Sequence, residues 1–111
     1  NDARMPDNAG FIPPLAPLAP GAPDMLWCNI PWDHFSLSKL SERSYSAGTY
    51  VCNNVMFQSL QWAKVLGRKA GFVHIPVLTS QKDLAFEKYP RLDDKEAANE
   101  VARILEFVLN L

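Results

Sequence analysis

The sequence predicts an α/β protein, part of a three-layer α/β/α sandwich built on a mostly parallel sheet. Three observations carry this. Gly71 to Leu78, "GFVHIPVL", is a nearly continuous apolar, β-branched run, the pattern of a strand buried on both faces. Two stretches with helical spacing of apolar residues stand on either side of it, near 53–66 and 94–109. The resulting order of strand, helix, strand and helix is the grammar of βαβ units.

Each element has its own justification. From Phe11 to Pro23 the chain reads "FIPPLAPLAPGAP", five prolines in thirteen residues without a charge. Proline fixes φ and lacks the donor N–H, so residues 11–23 predict an extended surface connection and neither a helix nor a central strand. Met25 to Pro31, "MLWCNIP", reads as a buried strand or the lead-in to a helix, with Pro31 suited to a first helical turn. Trp32, Phe35, Leu37 and Leu40 follow helical spacing and predict a short helix over 32–40. Tyr45, Thr49, Tyr50 and Val51 around Ala47-Gly48 suggest a strand with a tight turn over 44–51.

The next helix is expected over Asn53–Leu66, with a core stripe of Val55, Met56, Ser59, Leu60, Ala63 and Leu66, closed by Gly67 and the basic Arg68-Lys69. Pro76 should end the Gly71–Leu78 strand, because proline breaks a ladder. Asp93 with Glu96 three residues later forms a capping-box pattern for the last helix, whose buried face is Ala97, Val101, Ile104, Leu105, Val108 and Leu109.

Composition bounds the function. The 111 residues suffice for one domain and are too few for two independent cores. A formal net charge of −1 leaves no electrostatic footprint for nucleic acid or an anionic membrane. No apolar run approaches the ~20 residues of a membrane span, and "NDARMPDN" lacks the basic and apolar regions of a secretory leader. The expectation is a soluble cytoplasmic protein. The first residue is not Met, which suggests a processed or truncated piece, or one chain of something larger. Two cysteines, Cys28 and Cys52, are too few for a disulfide scaffold, although a single bridge between them is an alternative. No Cys/His cluster implies a metal, and nothing implies an organic cofactor.

Cys52 is the chemically informative residue. "SYSAGTYVCNN" places it directly after a run of small, turn-prone residues and at the start of a helix, where unpaired N–H groups and the dipole favour negative charge and so the attacking thiolate. The same N–H groups could receive an oxyanion, and Ser-Ala-Gly would let a substrate lie close to the backbone. A structural cysteine at a strand–helix junction is the other reading. A cysteine nucleophile needs a base. Of the two histidines, His74 lies near the carboxyl end of the predicted central strand, where α/β sheets place ligands, and could meet Cys52 at that sheet edge. A hydrogen-bonded core histidine is the alternative for His74, whereas His34 in "WDHF" reads as a surface or packing residue.

The segments "DARMPDN", "SAGTYVCNNVMF" and "AGFVHIP" resemble those of the pyroglutamyl-peptidase I family, the pyrrolidone-carboxylate peptidases. Three motifs occur in family order at near-family spacing. They span essentially the whole chain but only the carboxyl-terminal half of the family, and 31–51 is a few residues short. The resemblance implies a phosphorylase/hydrolase-like fold and a cysteine peptidase that removes an N-terminal pyroglutamate from peptides. It makes Cys52 the nucleophile, His74 its general base, Arg4 of "DAR" a contributor with the Cys52 N–H to the oxyanion site, and Tyr50 a wall of the pyroglutamate pocket. The family's orienting glutamate falls before residue 1, and no spacing supports Glu42 or Asp33 in its place. Expected partners are pyroglutamyl peptides, and either further copies in a homo-oligomer or the missing amino-terminal half. A catalytically incomplete module that lives by association is the rival expectation, since half a sheet exposes an edge and an apolar face.

Overall fold

A computed structural model describes residues 6, 9–12, 14–82 and 87–111. In order along the chain come a 3-10 turn at Trp32–His34, helix α1 (Val51–Leu66), strand β1 (Val77–Leu78), strand β2 (Arg91–Leu92) and helix α2 (Asp94–Leu109). The strands form a two-stranded parallel sheet, with Val77 opposite Arg91 and Leu78 opposite Leu92. The chain divides into two compact units, one of residues 1–30 and 44–72, the other of 31–43 and 73–111.

The first unit is organised around α1. Phe57, Leu60 and Ala63 are buried and recur every three residues, which keeps them on one face of the helix. This differs from the predicted stripe, because Val55 and Leu66 are exposed. The helix starts at Val51, two residues earlier than expected, and ends at Gly67 with φ +61°, where Arg68 N–H donates to Ala63 O at 2.7 Å. No strand forms over 25–31 or 44–51. Asn29 instead bridges to the segment after α1 through its side chain, with Nδ2 donating to Arg68 O at 2.9 Å and Oδ1 accepting from Ala70 N–H at 2.8 Å. Cys28 Sγ donates to Ala70 O at 3.1 Å, and no disulfide joins it to Cys52. Over 44–48 serine hydroxyls close successive turns: Ser46 N–H donates to Ser44 Oγ, and Gly48 N–H to Ser46 Oγ. Side chains that bond their own backbone in this way compete with a ladder.

The second unit gathers an aromatic cluster under α2. Phe35 is buried, 5.3 Å from the ring of Phe107 and 6.3 Å, edge to face, from that of Trp32. The predicted helix over 32–40 stops after one 3-10 turn, because Ser38 N–H donates to Ser41 Oγ and Leu40 N–H to Ser38 Oγ, drawing the backbone away from helical bonding. Arg103 ties this segment to α2: it donates to Ser36 O at 2.8 Å and to Glu100 Oε2 at 2.6 Å, and lies over the Phe35 ring. Asp93 caps α2, its Oδ1 accepting from Lys95 and Glu96 N–H, a contribution of about 1 kcal/mol.

The predicted Gly71–Leu78 strand is reduced to Val77–Leu78, and pairing begins after Pro76 instead of ending there. The prolyl nitrogen has no proton to offer a ladder, so the hydrogen-bonded part lies on its carboxyl side. Its partner β2 sits in the charged stretch before α2, where Thr79 N–H donates to Leu92 O at 3.0 Å. Asp94 fixes the crossover by accepting from Thr79 Oγ1 at 2.7 Å, from Ser80 N–H at 3.0 Å and from Ser80 Oγ. The Ser80 hydroxyl, followed by that of Thr79, lowers the Asp94 carboxyl below its ordinary range.

Glu100 was not anticipated as a core residue, yet it is only 8% exposed. Its Oε1 is buried without a hydrogen-bond partner. The Ser41 hydroxyl, ahead of Arg103, holds the carboxyl below the ordinary glutamate range, against the opposing effect of burial. A carboxylate with a lowered folded-state pKa stabilises the fold above its unfolded pKa and ceases to do so as pH falls toward the folded value. Stability to urea is therefore expected to fall as the pH drops below about 4, with Glu100→Gln flattening that dependence and Asp94 accounting for the remainder. Denaturation midpoints at pH 6 and pH 3 check this; parallel profiles for wild type and variant would contradict it.

Candidate active site

Cys52 is the second residue of α1 and is half-buried. The helix begins without a side-chain cap, since Tyr50 at the N-cap position has no acceptor to offer. The first helical bond runs from Asn54 N–H to Tyr50 O at 3.2 Å, so the amides of Val51, Cys52 and Asn53 precede the helical ladder. The thiol thus stands beside backbone donors that no neighbouring carboxylate or hydroxyl caps. Gly48, four residues before it, has φ +82°, and this turn directs the chain into the helix. Tyr50, two residues before the sulfur, is exposed at the same helix end.

His74 belongs to the second unit, in extended chain three residues before β1, and is exposed. It does not lie within a central strand, so the placement expected from strand direction is replaced by one on irregular backbone. Arg4 lies outside the described residues. Among the sequence-predicted residues, the structure brings Cys52 and Tyr50 together at one helix terminus. Two open clefts occur in the second unit: one of about 440 Å³ beside His34, Phe35 and Arg103, and an apolar one of about 390 Å³ between Ile75, Leu78 and α2. Asp33 is ion-paired with Arg43. Among the described residues no group of three or more His, Cys, Asp or Glu could hold a metal ion, and no helix is long and apolar enough to cross a membrane.

An α/β chain that presents a cysteine at an uncapped helix start, behind a glycine turn, belongs to the chemistry of thiol nucleophiles. Comparison with known proteins gives the family. Residues 1–105 match the sequence profile of pyroglutamyl peptidases, and the chain belongs to that family. It is 37% identical over 87 residues to the pyrrolidone-carboxylate peptidase of Thermococcus onnurineus, covering 72% of this chain and 44% of that protein. It is 39% identical over 88 residues to that of Pyrococcus furiosus (72% and 42%) and 38% identical over 88 residues to that of Levilactobacillus brevis (73% and 43%). The chain thus spans less than half the length of these relatives. No solved structure matches it.

Proposed function

We propose that this chain carries the nucleophile and general base of a cysteine peptidase that hydrolyses the amide bond after an N-terminal pyroglutamate. The observation that carries the reading is the position of Cys52, second in an uncapped α1 and directly after the Ser44–Tyr50 turn segment, within a chain of the pyroglutamyl peptidase family.

In this reading His74 accepts the proton of the Cys52 thiol, and the sulfur attacks the carbonyl carbon that joins pyroglutamate to the next residue. The C–O π electrons move onto oxygen. The tetrahedral oxyanion is received by the Cys52 N–H and the guanidinium of Arg4, while Tyr50 lines the lactam ring. Collapse expels the peptide amine, which takes the proton from His74, and leaves a thioester. Water, deprotonated by His74, then attacks the thioester and releases pyroglutamate with the free thiol. The carboxylate that orients the imidazole belongs to the part of the family fold outside these 111 residues, so full turnover is assigned to the site completed by that part.

The test is release of free pyroglutamate from a pyroglutamyl dipeptide, followed by chromatography, with the corresponding prolyl dipeptide as control. Cleavage of both substrates at equal rates, or of neither by the completed protein, rejects the reading.

A further inference from the structure

Helix α1 carries a single charged residue, Lys64, in sixteen positions. Its buried face is Phe57, Leu60 and Ala63, and a helix at a protein surface normally turns charged side chains the other way. Here the opposite face is apolar as well. Val51, Val55, Trp62, Val65 and Leu66 fall within an arc of about 100° at 3.6 residues per turn, and the stripe runs about 22 Å along the helix. All five are exposed, Trp62 by 74% and Val65 by 85%. Only the uncharged Gln58 and Ser59 interrupt or border them.

We propose that this outer face of α1 is the contact surface of a two-fold dimer, occupied by the same helix of a second copy. Three properties select a second copy. A two-fold contact sets each residue of a patch against the same patch, which forbids like charges, and this stripe has none. Trp62 stands toward one end of the stripe, between Val55 and the Val65–Leu66 pair, so an antiparallel helix pair seats each indole among the aliphatic residues of its partner, the kind of aromatic anchor that dominates association energy. The stripe offers on the order of 600 Å² per copy, so a symmetric pair buries on the order of 1,200 Å², the lower end of the range for specific interfaces. The proposal is independent of the catalytic reading, because none of its residues takes part in the proposed chemistry.

Sedimentation equilibrium of the 111-residue chain at micromolar concentrations tests it. Wild type should show twice the 12.4 kDa chain mass. Trp62→Lys combined with Val65→Lys should give 12.4 kDa with an unchanged helical circular dichroism spectrum. Trp62→Ala, which introduces no charge, should raise the dimer dissociation constant roughly tenfold or more. Leu109→Lys, on the equally exposed end of α2, should leave the dimer intact. A wild-type monomer, a dimer indifferent to both Trp62 variants, or a loss caused equally by Leu109→Lys overturns the proposal. So does a complex of unequal masses in which another polypeptide takes the stripe and the self-pair is absent.

Discussion

Replacing Cys52 by serine is expected to lower pyroglutamate release by at least about 10⁴-fold while leaving the helical signal and the denaturation midpoint nearly unchanged. The side chain is half-buried at the first turn of α1, and oxygen for sulfur removes little volume, so folding has little reason to respond. The chemistry responds strongly. An alkoxide forms far less readily than a thiolate at neutral pH, and the acyl intermediate depends on the attacking anion. Steady-state kinetics on a pyroglutamyl arylamide, with substrate affinity of the variant followed by competition, separate the two effects. A loss in kcat with little change in binding is the expected pattern, and a variant of wild-type kcat would exclude Cys52 as nucleophile.

His74→Ala carries the second large effect, a loss of roughly 10²–10⁴ in kcat/KM if the imidazole moves the thiol proton. Its exposure makes the experiment clean, because truncation leaves no core cavity. Added imidazole should restore part of the rate to His74→Ala and none to Cys52→Ser, a distinction that a structural role for the histidine would not produce. Equal insensitivity of both variants would leave His74 without a part in proton transfer.

The α-helices were legible in the sequence because their signals are local. The Asp93 cap and the Gly67 terminator each act within one turn of their own residue, and both are where the pattern put them. The strands were not legible to the same degree. A strand exists through its neighbour, and "GFVHIP" declares a buried environment without naming a partner. Only Val77 and Leu78 find one, in Arg91 and Leu92, whose charged surroundings gave no hint of a ladder. Serine side chains account for the other differences: Ser38 and Ser41 end a helix that the apolar spacing favoured, and Ser44 and Ser46 turn a segment whose aromatic and β-branched residues favoured extension. Of the site, the cysteine and its helix were readable from one short motif. The position of His74 rested on a strand that is not formed around it, and the buried Glu100 escaped notice because a carboxylate on an amphipathic pattern is read as solvent-facing.

The glycine turn ahead of the nucleophile discriminates by handedness and not by size. A β-carbon at Gly48 would meet nothing within 4 Å, yet φ there is +82°, a torsion that L-residues adopt only at a cost of about 1 kcal/mol or more. A D-configured residue has the mirror-image preference and would sit in that torsion at ease. Bulk could therefore be added at residue 48 without crowding the sulfur four residues on, provided it came with inverted stereochemistry.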